Sequence, residues 1–140
     1  MKNKAPLALM EQMVMLLVFA LAAALCLQVF VLSDWISLCC EARDHAVTAV
    51  QNTAEILKSY AGDTEACEAL LGGTGDDSLW QIGYDSDWRQ VPPEQAEYQI
   101  LVTPVQTDSP LLGAAAVSAQ TAEGDLLFQV TVSWQEVAHG

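Results

Sequence analysis

The sequence predicts an α+β protein in which one long N-terminal helix packs, through its second half, on a small antiparallel β-sheet. Three observations carry this. Residues 13–32 contain no charged side chain. Residues 35–61 contain neither proline nor glycine and repeat apolar side chains at helical spacing. From Leu79 onward the apolar period changes to two, with turn residues between the runs.

The chain has 140 residues, of which 52% are apolar, but the apolar residues are unevenly placed. In the run from Met13 to Leu32 only Gln28 is strongly polar. A helix of that length spans roughly 30 Å, the thickness of a bilayer's hydrocarbon core. A soluble helix apolar on every side needs a larger protein around it than the rest of this chain supplies. A cleaved secretory signal is the competing reading. Its apolar region is shorter, about 7–15 residues, and ends in a small-x-small site. Here Ser33-Asp34-Trp35-Ile36 follows the run, and Ala20 to Ala24 lies inside it, so the helix is expected to be retained.

Charge sets the expected orientation. Lys2 and Lys4 precede the span, while Asp34, Glu41 and Asp44, opposed by Arg43 alone, follow it. Basic flanks stay cytoplasmic, so the C-terminal part is expected outside the cytoplasm, on a single-pass protein of the cell membrane. All acidic residues but Glu11 lie beyond the run, and the net charge is −13. With no cluster of Lys or Arg to replace phosphate counterions, nucleic acid is excluded as a partner.

The predicted elements follow in order. One helix runs from about Leu7 to Ala61, roughly 80 Å long. Beyond the bilayer it presents one narrow stripe of Ala42, Ala46, Val50, Ala54, Leu57 and Ala61, with Arg43, Asp44, Gln51, Asn52, Glu55 and Lys58 opposite. Gly62 ends it. Asp63 or Thr64 caps a short helix from Glu65 to Leu71, stopped by Gly72-Gly73, and a loop runs to Asp77. Strands are expected over Leu79–Tyr84 and Tyr98–Val105. Ala114–Ala119 and Leu126–Trp134 are expected to form a hairpin around Glu123-Gly124-Asp125. The parts are therefore a basic leader (1–6), a transmembrane helix (7–33), its amphipathic continuation (34–61) and an extracytoplasmic head (62–140).

The most informative local pattern is Leu7-Ala8-Leu9-Met10-Glu11, just before the apolar run. A carboxylate at the mouth of a membrane helix costs free energy unless something neutralises it. From the residues alone, Glu11 is equally read as lying in the cytoplasmic headgroup zone beside Lys2 and Lys4. The whole chain, however, resembles the type IV pilin-like proteins, including the pseudopilins of type II secretion and competence systems. These begin with a short basic leader, here Lys2-Asn3-Lys4, then an apolar residue, three more residues, a Glu, and about twenty apolar residues. They continue into an amphipathic helical half and a C-terminal antiparallel sheet. The resemblance implies that a prepilin peptidase cuts between Pro6 and Leu7 and methylates the new amine. It also implies that Glu11 faces the amine of a neighbouring pilin-like subunit during assembly. A buried ion pair in lipid is costly to break and so sets the register between helices. The sequence departs from the family in two places: Pro6 stands where Gly or Ala normally precedes the cut, and Gln28 stands where many members have a helix-kinking proline.

The remaining signals are weaker. Cys26 lies within the span and reads as a small apolar residue. About 22 residues of helix separate Cys39 and Cys40 from its end, roughly 33 Å, more than the six residues back to Cys67 can cover. Cys39 and Cys40 are therefore expected to be free or crosslinked to another chain. Asp76, Asp77, Asp85 and Asp87 do not have the spacing of a calcium loop, and His45 and His139 lack metal partners. Gly72-Gly73-Thr74-Gly75 lacks a phosphate-loop lysine. No nucleophile has a recognisable catalytic context. Trp80, Trp88 and Trp134 are assigned to the sheet's core, and Trp35 to the membrane interface. The expectation is a non-enzymatic, pilin-like structural subunit without metal or cofactor, whose partners are the lipid bilayer and like subunits. The alternative is an unprocessed single-pass protein whose acidic outer domain binds or senses something.

Overall fold

A computed structural model describes residues 4–136, so Lys2 and His139 fall outside the described residues. Helix α1 runs without interruption over Ala5–Ser59. Pro6 is tolerated because it sits in the first turn, where backbone N–H groups have no intrahelical acceptor. The helix stops two residues before the expected Ala61. Gly62 N donates to Leu57 O at 2.9 Å and Ala61 N to Lys58 O at 3.2 Å. This pair of bonds is a Schellman cap, and it drives Ala61 to φ +50° ahead of Gly62 at +80°. The left-handed position thus falls on an alanine, one residue before the glycine that the sequence pattern favours.

The chain divides into two compact units, Met1–Glu41 and Ala42–Gly140. In the first, every described residue of α1 is exposed, from Leu7 and Phe19 to Trp35. The helix is long and apolar enough to cross a membrane. The second unit takes in the last turns of α1, where Ala46, Val50, Thr53, Ala54 and Leu57 are buried. Four of these belong to the expected stripe. Thr53 joins them because its hydroxyl donates back to Ala49 O at 2.9 Å, so its burial leaves no polar group unpaired. Ala61, past the cap, is exposed.

Helix α2 covers Thr64–Leu71. Asp63 is its cap, accepting from Ala66 N at 3.2 Å, and Gly72 closes it by donating to Glu68 O at 2.8 Å. Among the described residues the sheet has six strands: β1 (Thr74–Gly75), β2 (Trp80–Tyr84), β3 (Gln90–Val91), β4 (Tyr98–Pro104), β5 (Leu112–Thr121) and β6 (Leu126–Gln135). Its order is β1-β2-β4-β5-β6, with β3 also paired to β2, and every pairing is antiparallel. β1 lies in what reads as a loop from sequence. Its two residues are too few to show a period, and Asp76 makes the turn into β2 by accepting from Ser78 N and Leu79 N.

Register aligns the core face across the strands. Ile82 lies beside Ile100, Ile100 beside Ala119, and Ala119 beside Phe128; the next row is Trp80, Val102, Val117, Val130. β5 offers this face only Gly113, Ala115, Val117 and Ala119, small side chains that match the alanines and valine of α1 and let backbone approach backbone. Trp80 is at the centre of the core, whereas Trp88 and Trp134 are half-buried at its margins. Trp88 sits in the turn after β2 at φ +59°, with its ring stacked with those of His45 of α1 at 5.7 Å and Tyr98 of β4 at 4.6 Å.

Because α1 meets the sheet through few large side chains, Leu57 carries much of that contact. Leu57→Ala should lower the unfolding free energy by about 2–5 kcal/mol, as for other fully buried leucines. Leu70→Ala, at an exposed site of α2, should stay within about 0.5 kcal/mol, both measured by denaturant titration in detergent.

Candidate functional site

At its start, α1 places the residues singled out in the sequence on one exposed stretch. Lys4, Ala8, Glu11 and Met15 recur at helical spacing and, with Leu7, Met10 and Val14, line a shallow, largely apolar depression. Lys4 and Glu11 are separated by about 10 Å along the axis, two turns of helix. Pro6 and Leu7 both lie within α1, so the expected processing point is helical rather than extended. Glu11 is the one acidic residue of α1 before Asp34. Its surroundings are aliphatic side chains and a single lysine.

The cysteines separate into two kinds. Cys39 and Cys40 are exposed on α1, and adjacent helical residues point about 100° apart, so they face different neighbours. Cys67 is the buried residue of α2 itself, where desolvation first, and the nearby Asp63 carboxylate second, push its thiol up from the ordinary value. A thiol so placed is protonated and a poor nucleophile at neutral pH. Among the described residues, no three His, Cys, Asp or Glu side chains gather as a metal site requires.

The head contains a cavity of about 370 Å³ that is not among the features expected from the sequence. Leu57, Trp80, Val102 and Trp134 line it together with residues of the loop between β4 and β5. Asp76, Asp77 and Glu136 are its acidic lining residues, and among the described residues no basic side chain lines it. Two of these carboxylates already have partners. Asp77 accepts from the Thr64 hydroxyl at 2.6 Å, and Asp76 accepts from the Ser78 hydroxyl and two backbone N–H groups, which hold it below the ordinary carboxylate range. The indole of Trp134 fits between two glycines. A Cβ on Gly113 would come within 2.3 Å of Nε1, and one on Gly62 within 2.1 Å of the ring. Nε1 is buried there with no hydrogen-bond acceptor among the described residues. Gly113 lies directly opposite Trp134 in the β5–β6 ladder, an aromatic ring filling the space over a strand glycine. The arrangement sets one indole N–H donor and three carboxylates around an apolar lining.

Two results are expected. Gly113→Ala should destabilise the head by about 1–3 kcal/mol through overpacking against the indole, visible as a lowered Tm. A water-soluble maleimide should label Cys67 only after the head is unfolded in denaturant, and not in the folded protein at pH 7. Compared with known protein families, with curated proteins and with solved structures, the chain matches none.

Proposed function

We propose that this chain is a pilin-like structural subunit, of the pseudopilin or minor-pilin kind, anchored in the cell membrane by the first half of α1. The observation that carries the proposal is the exposed helix, whose residues 13–32 are uncharged and whose one preceding carboxylate is Glu11. Aliphatic surface of that extent favours lipid or like helices over water. With lysines before the span and acids after it, the N-terminus lies in the cytoplasm and the acidic head outside. A prepilin peptidase acts before Leu7, and Glu11 then meets the amine of a neighbouring subunit. Held in lipid, such a pair resists separation and sets how far one helix slides past the next. The head is the surface that other components meet, and no catalytic role is assigned to it.

A second reading is supported by Pro6 and by the cavity. Pro6 lies in the first turn of α1, where a glycine would leave the backbone freer for a peptidase. A cavity of about 370 Å³ is within the size range of ligand pockets. On that reading the chain keeps its N-terminus and its head binds or senses a ligand outside the cell.

Glu11→Ala tests the first reading. It should leave the protein in the membrane fraction but reduce recovery of chemically crosslinked oligomers at least tenfold, since removing one partner of a buried ion pair costs about 3–5 kcal/mol. N-terminal sequencing of membrane-extracted protein should begin at Leu7. An intact Met1-Lys2 start with unchanged oligomers would favour the second reading.

A further inference from the structure

The two edges of the sheet are unlike. On one side, β1 has two residues and β3, also two, pairs beside it, so little backbone is left open. On the other, β6 is ten residues long and, among the described residues, pairs only with β5. Its outward N–H and C=O groups form a template for another strand. The usual protections of an edge are missing along most of it. Leu126 to Gln135 contains no charged residue and no proline, in a chain of net charge −13. A bulge at Leu127, where Ala119 pairs with Phe128 and Gln120 with Leu126, interrupts only the beginning.

The core face is also unfinished on this side. On β5, Ala115, Val117 and Ala119 are buried, but their β6 neighbours Val132, Val130 and Phe128 are half-buried, as is Trp134. Four apolar side chains pointing toward the core thus keep part of their surface in water. Burying more of it needs a further strand that brings apolar residues to the same face.

We propose that β6 pairs antiparallel with β6 of a second copy of this chain, about a two-fold axis at Thr131, joining two heads into one twelve-stranded sheet. A strand keeps its core face only if core-facing residues meet core-facing residues, which permits every second register. Of these, the one centred on Thr131 uses the whole regular stretch from Phe128 to Trp134. It sets Phe128 opposite Trp134 of the second copy, Val130 opposite Val132, Gln129 opposite Ser133, and Thr131 opposite itself. Aromatic, β-branched and Thr–Thr pairs are favourable cross-strand neighbours. Glu136, just past the strand, comes opposite Leu126, so no carboxylate faces another. Seven residue pairs give about seven inter-chain hydrogen bonds, within the range of stable interfaces. The interface is isologous and closed, because each copy uses its one long free edge. Two acidic heads meet at their uncharged border.

Cysteine crosslinking of the purified full-length chain in detergent micelles tests this register. Cys26, Cys39 and Cys40 are replaced by Ala, and the buried Cys67 is kept. Thr131→Cys then places two thiols on the axis, with facing Cα atoms about 4.5–5.5 Å apart, inside disulfide range. Gln129→Cys, four residues out of register with itself, leaves about 13 Å, beyond reach. Under mild oxidation Thr131→Cys should dimerise at least fivefold more than Gln129→Cys. Separately, Thr131→Lys in the otherwise native chain should halve the mass measured by light scattering. Equal crosslinking at both positions, or a mass unmoved by Thr131→Lys, would overturn the proposal. A native chain monomeric in micelles, with its circular dichroism intact, would overturn it too. The pairing does not depend on the role given to Glu11, and Glu11→Ala should leave the Thr131→Cys crosslink unchanged.

Discussion

The constraint on which the rest depends is that this chain holds more apolar helix than it covers. From Leu7 to Leu38, α1 presents Leu, Val, Phe, Met and Ala to its surroundings, and all of these side chains are exposed. Water is a poor solvent for such a surface, and its burial in a hydrocarbon phase or against similar helices is favourable in proportion to area. The same constraint gives Glu11 its interest. A carboxylate set among aliphatic side chains needs a positive partner once water is withdrawn, and Lys4 is two turns away.

The head solves a different problem, that of making a small core beneath one helix. α1 contributes Ala46, Val50 and Ala54, and β5 contributes Gly113, Ala115 and Ala119. With small residues on both surfaces, the large ones are placed at the sides: Trp80, Ile82 and Ile100 toward β2 and β4, and Trp134 between Gly62 and Gly113. The stack of His45, Trp88 and Tyr98 ties helix and sheet at the β2–β4 side. Burial raises the phenol of Tyr84, beside Trp88, above its ordinary value.

Much of this architecture is legible in the residues. The uncharged run, the stripe from Ala46 to Leu57 and the alternation in β4, β5 and β6 each bury or expose whole elements, so the pattern is long enough to read. The caps of α2 are legible to within one residue, Asp63 or Thr64 at one end and Gly72 at the other, because one side chain or one φ does the work locally. What is not legible depends on residues far apart in sequence. β1 and β3 are two-residue strands set by their partners, and Ala61 takes a left-handed conformation because of the bonds around it. Thr53 reads as polar until its hydroxyl is seen to bond to Ala49. The cavity and the Trp134 clamp join Gly62, Gly113 and Trp134, which only the β5–β6 register and the turn after α1 bring together. The clearest hint was Gly113, a glycine inside a strand pattern, which signals close approach by something bulky. Glu11 is the opposite case: its proposed partner is on another molecule, so no packing within this chain displays it.

Membrane integration of α1 is the claim nearest the centre of this account, and alkaline extraction measures it directly. Membranes from cells expressing the full-length chain would be washed with carbonate at about pH 11 and sedimented. Peripheral proteins are released by this treatment, while helices embedded in hydrocarbon stay behind. The chain should remain in the pellet and enter solution only with detergent. Recovery of the intact polypeptide as a monomer in the detergent-free supernatant would contradict it.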